Sequence, residues 1–306
     1  MHDASARHLA GASALVFEDM GCQQDTKQEF RREASLDVQH DEKRENRELP
    51  HYRIEIQDSV AVFIISRPHK ANALSRQILL ALGGFAREAS AREDIRALVI
   101  SADGDRHFCA GADLEERLGF DDDTVREQIR LYRSELGALQ TNRKLVVAAV
   151  NGLALGGGLE IALACDLRVA SASAVFGMPE CSIGIIPGAG GTQRLPRLIG
   201  LARAKQVVLL GRRLTSQEAL EWGLVDRIAT HGSVLDDAIQ WIRPVCNGAA
   251  IAQSAALEAI RAASETTLEQ GLEAEAAAYE RTLESEDRLE GIRAFREKRL
   301  PHFKGR

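Results

Sequence analysis

Glu160 and Glu180 are isolated carboxylates in an apolar stretch, and three glycines, Gly156, Gly157 and Gly158, stand just before the first of them. The neighbours of Glu160 are Leu159, Ile161, Ala162, Leu163 and Ala164, so a charge there is expensive unless it has a partner or a task. Glu180 ends Gly177-Met178-Pro179-Glu180, after the strand-like run Ala174 to Phe176. Three glycines in the first turn of a helix cost roughly 1 kcal/mol each relative to alanine, so something must require backbone without side chains there. A closely approaching ligand is the usual reason, and bare N–H groups at a helix N-terminus stabilise negative charge. Each feature also has a plainer reading: a loop that packs helix on strand, a glutamate on a solvated face, and a glutamate in an exposed loop. A dinucleotide fingerprint is excluded, because Ile161 fills the last glycine position of GxGxxG.

The elements around these residues alternate in type. Lys144 to Val150 reads as a buried strand closed by the turn pair Asn151-Gly152, and Leu98 to Ile100 and Leu167 to Val169 read likewise. Ile54 and Ile56 alternate with polar residues, Asp58-Ser59 makes a turn, and Val60 to Ile65 returns as a more buried strand, a hairpin. Ser75 can cap a helix with Ile78, Leu79, Leu82 and Phe85 on one side, and Ser90-x-x-Glu93 has the pattern of a capping box before the strand Ala97 to Ser101. Thr215-x-x-Glu218 is another capping box, ahead of a helix that Gly223 stops. Beyond Asn247-Gly248 the chain is nearly all helix former, with Leu268, Leu272, Tyr279 and Leu283 as core or subunit contacts. The alternation favours an α/β architecture with crossover connections.

Composition sets the bounds. With 306 residues, 45% apolar and 27% charged, the chain can bury a sizeable core. A net charge of -6 argues against a general nucleic-acid surface. Five cysteines without CxxC spacing read as reduced thiols in a cytosol-like compartment. No segment is long enough for a membrane helix, and no secretory signal core is visible. Residues 1–49 stand apart, because Asp25 to Leu49 is dominated by charge and Gln with too few apolar residues for a continuous face; this predicts a disordered extension or a loosely attached helix, and Met20 offers a later start. Their acids argue against a mitochondrial transit peptide.

Five motifs in order then carry a resemblance: Phe108-Cys109-Ala110-Gly111-Ala112-Asp113-Leu114, Asn151-Gly152-x-Ala154-x-Gly156-Gly157-Gly158-x-Glu160, Cys165-Asp166, Pro179-Glu180, and Pro187-Gly188-x-Gly190-Gly191-Thr192-Gln193-Arg194-Leu195. From about Tyr52 to the C-terminus the chain resembles the enoyl-CoA hydratase (crotonase) superfamily. Leu155, Arg194-Leu195-Pro196-Arg197 and the ending Glu286 to Arg299 resemble most the branch of methylglutaconyl-CoA hydratase. The resemblance implies a spiral of ββα units over residues 50–246 and a helical region over 247–306 that supports homotrimers or dimers of trimers. It implies syn hydration of a trans-2-enoyl-CoA to a (3S)-3-hydroxyacyl-CoA, in fatty-acid or branched-chain amino-acid catabolism, with Glu160 activating water and Glu180 exchanging a proton with the α-carbon. Ala112 and Gly157 would supply the N–H pair of an oxyanion hole, each donor worth about 3 kcal/mol. Lys70, Ala71, Leu74, Ala110, Asp113, Leu114 and Gly188 fall on substrate-binding positions.

Both glutamates favour hydration over the family's isomerases, decarboxylases and thioesterases, which commonly lack one. CoA belongs to the substrate, so no metal or redox cofactor is implied, and no zinc set is visible. His107 and Cys109 read as packing or surface residues. The branch includes a protein that binds RNA through a lysine-rich helix; here Arg76 to Glu88 has no lysine, which argues against nucleic acid. The expected location is cytoplasmic, with the mitochondrial matrix as the alternative. The acyl group is left open: a free cation facing its end would favour methylglutaconyl-CoA, and Arg117 and Arg130 are the candidates.

Overall fold

A computed structural model describes residues 51–230 and 232–306. The expectations for residues 1–49 lie outside the described residues. Strands β1 (Tyr52–Gln57) and β2 (Val60–Ile65) pair antiparallel, and Asp58, at φ 55°, turns the hairpin. Helix α1 (Arg76–Ala91) begins at Ser75, whose Oγ accepts from the Ile78 N–H, and it buries Ile78, Leu79, Leu82 and Phe85. Ser90 does not open a turn. The helix runs on through Ala89, Ser90 and Ala91, and the Ser90 hydroxyl instead accepts from the Arg143 N–H at 3.5 Å. Good helix formers upstream keep the turn that a serine alone would have started.

Next come β3 (Ala97–Ala102), β4 (His107–Cys109), α2 (Leu114–Arg117), α3 (Asp122–Gln140), β5 (Leu145–Val150), β6 (Leu153–Leu155), α4 (Gly157–Ala164), β7 (Leu167–Ala170) and β8 (Val175–Gly177). After β8 follow α5 (Gly191–Ile199), α6 (Leu201–Leu209), β9 (Leu214–Thr215), α7 (Ser216–Glu221), β10 (Arg227–Ile228) and α8 (Val234–Cys246). The large sheet has the order β1-β2-β3-β5-β7-β10 and the small one β4-β6-β8-β9. Each of the pairs β3/β4, β5/β6 and β7/β8 gives one strand to each sheet before a helix returns the chain. This is the α/β spiral of ββα units that the resemblance implied.

Alternation along the central strands divides the core. Phe63, Ile65, Leu98, Ile100, Val146 and Ala148 face the helices, while Val62, Ile64, Val99, Val147 and Val169 face Ala238 and Ile242 of α8. Full burial of a side chain such as Phe63 contributes roughly 2 kcal/mol. Thr215 and Glu218 form the capping box of α7, and Gly223, at φ 76°, follows its end. Helices α9 (Ala250–Ala262), α10 (Leu268–Leu283) and α11 (Glu286–Glu297) complete the chain, with α9 packed on α10. Leu268, Leu272, Tyr279 and Leu283 lie exposed on the single chain, so they are not part of its core.

Candidate active site

Strands β4, β6 and β8 are parallel neighbours, so their carboxyl ends lie side by side. From those ends emerge 110–113, 156–157 and 178–180, the segments that carry the expected chemistry. A crevice at the carboxyl ends of parallel strands is the usual ligand position in such sheets.

Gly111, at φ 110°, turns the chain after β4 and brings Ala112 beside Leu74 in a single parallel bridge. That bridge uses Leu74 N–H to Gly111 O (2.8 Å) and Asp113 N–H to Leu74 O (3.1 Å), which leaves the Ala112 N–H outside the ladder. Gly157 is the first residue of α4, so its N–H has no acceptor inside the helix. The two backbones are adjacent: a Cβ built on Gly157 would stand 3.6 Å from Ala112 N, and one on Gly111 would stand 3.7 Å from Gly157 N. Two N–H groups without an acceptor among the described residues thus lie close together, as an oxyanion requires.

Two of the three glycines have a steric reason. Gly156 adopts φ 50° and ψ −121°, and a Cβ there would meet Glu180 Oε1 at 2.7 Å. At Gly157 a Cβ would meet Ala112 N at 3.6 Å, an ordinary contact, so sterics there do not demand glycine. A Cβ on Gly158 would collide with the Cys109 carbonyl. Helix α4 is therefore pressed against β4, and all of its residues are buried.

Glu160 is 3% exposed, which rules out the solvated face. Its Oε1 accepts from the Ala189 and Gly191 N–H groups, both at 2.7 Å. Burial raises its pKa above the ordinary carboxyl range, and those two N–H groups oppose the rise. Glu180 opens a short 3-10 turn, Glu180–Ile183, and is 9% exposed, so it is no ordinary loop residue either. Its Oε2 is buried and has no hydrogen-bond partner among the described residues. Burial, reinforced by the charge of Glu160, pushes the Glu180 carboxyl up to about 7.

The other singled-out residues touch, or belong to, the segments that carry these groups. Ala71, at φ 51°, ends a 3-10 turn at Lys70, and its carbonyl accepts from the Ala110 N–H at 3.1 Å. Lys70 Nζ pairs with Glu115 at 2.5 Å. Leu74 is buried and Leu114 half exposed. Asp113 is buried, caps α2 through the Glu116 N–H, and pairs with Arg67 at 3.0 Å, so its side chain fixes the 110–114 turn. Gly188 precedes the Ala189 that donates to Glu160 and lies near Ile129. Burial pushes the Cys109 thiol up to about 12, far from a thiolate nucleophile. Among the described residues no group of three His, Cys, Asp or Glu could hold a metal ion. Arg67, which pairs with Asp113, was not singled out from the sequence, nor were the N–H donors of Ala189 and Gly191. The run Pro187-Gly188-x-Gly190-Gly191 carried a signal for the last two.

A family profile described as enoyl-CoA hydratase/isomerase matches residues 55–306. The chain belongs to the enoyl-CoA hydratase/isomerase family. Within it, the chain is 44% identical over 248 residues to YngF of Bacillus subtilis, a protein assigned to the same family, a match covering 81% of this chain and 95% of YngF. It is 39% identical over 250 residues to the mitochondrial methylglutaconyl-CoA hydratase of Mus musculus, covering 80% of each. A crystal structure of enoyl-CoA hydratase from Bacillus anthracis superposes with a TM-score of 0.81 at 39% identity, covering 84% of this chain and 100% of that one. The enoyl-CoA hydratase/isomerase fold thus accounts for nearly every described residue. Among the described residues no helix is long and apolar enough to cross a membrane.

Proposed function

We propose that the protein is an enoyl-CoA hydratase, adding water across the double bond of a trans-2-enoyl-CoA to give a (3S)-3-hydroxyacyl-CoA. The observation that carries this reading is two buried carboxyls, Glu160 and Glu180, beside two N–H groups without an acceptor among the described residues, at the end of one sheet. The Ala112 and Gly157 N–H groups bind the thioester oxygen, where negative charge accumulates when the β-carbon is attacked. Glu160, held by Ala189 and Gly191, accepts a proton from water as its oxygen bonds to the β-carbon. Glu180, near half protonation at neutral pH, gives a proton to the α-carbon on the same face. The two carboxyls titrate as a coupled pair. Lys70, Ala71, Leu74, Ala110, Asp113, Leu114 and Gly188 would border the CoA thioester.

A second reading, hydration of methylglutaconyl-CoA, has its support in the mouse relative, whose name states that activity. The exposed apolar residues of α10 and α11 support assembly as a homotrimer or a dimer of trimers. A cytoplasmic location is proposed, with the mitochondrial matrix as the alternative.

Mixing the enzyme with crotonyl-CoA tests the main reading. The conjugated enoyl absorbance should fall with formation of the 3-hydroxy thioester. Double-bond migration without water uptake would show an isomerase instead, and no change with any enoyl-CoA would end the proposal.

A further inference from the structure

Arg194 lies half-buried in the first turn of α5, where a cation opposes the helix dipole. Among the described residues no carboxylate pairs with it. Its guanidinium spans two elements instead. Nη1 donates to the Ala189 carbonyl at 2.7 Å, while Nε and Nη2 both donate to Gln140 Oε1, at the end of α3, at 3.0 and 2.7 Å. The gripped carbonyl stands between the two N–H groups, of Ala189 and Gly191, that hold Glu160 Oε1. The other oxygen of Glu160, Oε2, makes no hydrogen bond among the described residues. Gly190, inside this loop, is at φ 104°, and a Cβ on it would collide with the guanidinium, so the loop keeps bare backbone where Arg194 lies against it.

A carboxylate that takes a proton from water must present one oxygen in a fixed direction, and a displacement of about 1 Å costs on the order of a hundredfold in rate. Two N–H donors on Oε1 fix that direction only if the loop that carries them is itself held. We propose that Arg194 is a positioning residue: braced by Gln140, it holds the Ala189 carbonyl, and so the two N–H groups, in the arrangement that points Glu160 Oε2 at water. A guanidinium suits the task because its planar fork reaches two acceptors at once in a fixed geometry, which a lysine ammonium does not. This rests on the hydratase reading above, which gives Glu160 the proton of water, and adds what aims that carboxylate.

Turnover of crotonyl-CoA and binding of butyryl-CoA, a saturated thioester with no double bond to hydrate, are measured on the wild type, Arg194→Met, Arg194→Lys, Gln140→Met and Gln140→Glu. Arg194→Met and Gln140→Met should lower kcat by about tenfold or more, while the butyryl-CoA dissociation constant stays within about twofold. Gln140→Glu keeps an oxygen for Nε and Nη2 and should retain most of the turnover, and Arg194→Lys should fall between the wild type and Arg194→Met. A merely structural role would separate neither kcat from binding nor Gln140→Glu from Gln140→Met. Near-normal kcat in Arg194→Met, an equal loss in both Gln140 variants, or butyryl-CoA binding lost in step with kcat overturns the assignment. Should Arg194→Met fail to fold, the two Gln140 variants decide it alone. A wild type that binds butyryl-CoA but hydrates no enoyl-CoA ends the hydratase reading and the Arg194 assignment with it, whereas a wild type that turns over beside insensitive variants ends the assignment alone.

Discussion

Glu180 Oε1 lies 2.7 Å from the point where a Cβ on Gly156 would stand, so the glycine is the floor on which the carboxyl rests. The backbone there, φ 50° and ψ −121°, is one that side-chain-bearing residues avoid. Gly156→Ala should displace Glu180 and strain the turn together. Turnover of crotonyl-CoA should fall by about a hundredfold or more, and stability by about 1–3 kcal/mol. Gly119→Ala is the control, because a Cβ there meets nothing within 4 Å. Near-normal turnover in Gly156→Ala would remove the argument that the glycine seats the acid.

Removing charge without removing shape separates the two carboxyls from their surroundings. Glu160→Gln can still accept from Ala189 and Gly191 through its amide oxygen, so the loop should stay in place. Glu160→Gln and Glu180→Gln should each lower kcat by roughly 10²–10⁴ while acyl-CoA binding persists. Turnover and butyryl-CoA binding are measured on the same preparations. Either variant retaining near-normal turnover defeats the role given to that residue.

Leu268, Phe295 and Leu300 are more than 80% exposed on the single chain, and Leu272 and Tyr279 more than half. So much apolar surface on α10, α11 and the segment after them calls for a partner, and further copies of the chain are the proposed one. Light scattering after size exclusion should give the mass of three or six chains. Leu268→Glu combined with Leu272→Glu should reduce it. A wild type that elutes as one chain contradicts the proposed assembly.

What could be read in advance depended on whether the information was local. Strands β2 and β5 are continuous apolar runs, and Ser75 and Thr215 sit where caps must sit, so these elements were visible in the residues themselves. The glycine run announced a close approach, though not that Gly158 answers to the Cys109 carbonyl and Gly156 to Glu180. Strands β4 and β6, of three residues each, carry no pattern long enough to show that they leave the large sheet for a second one. The partner of Asp113 was equally hidden: Arg67 lies 46 residues away, and only the fold makes them neighbours. Ser90 failed for the converse reason, since a local capping pattern was overridden by the helix already running through it.

The acidity of Glu180 makes stability depend on pH in a direction that can be worked out. Its folded value of about 7 lies above the ordinary 4.5, chiefly because burial disfavours the anion. Between these two values the native state binds the proton more tightly than the unfolded chain does, so stability falls as pH rises. Below the window both states are protonated and Glu180 contributes nothing; above it the full penalty stands, at most about 3 kcal/mol. Glu180→Gln is neutral throughout and escapes the penalty. Its melting temperature should exceed that of the wild type at pH 8, and the excess should shrink as the pH is lowered toward the acid end of the window. Thermal unfolding at both ends measures this. An excess that does not change with pH would mean that Glu180 ionises as readily in the fold as in water, and that it holds no proton to give the α-carbon near neutrality.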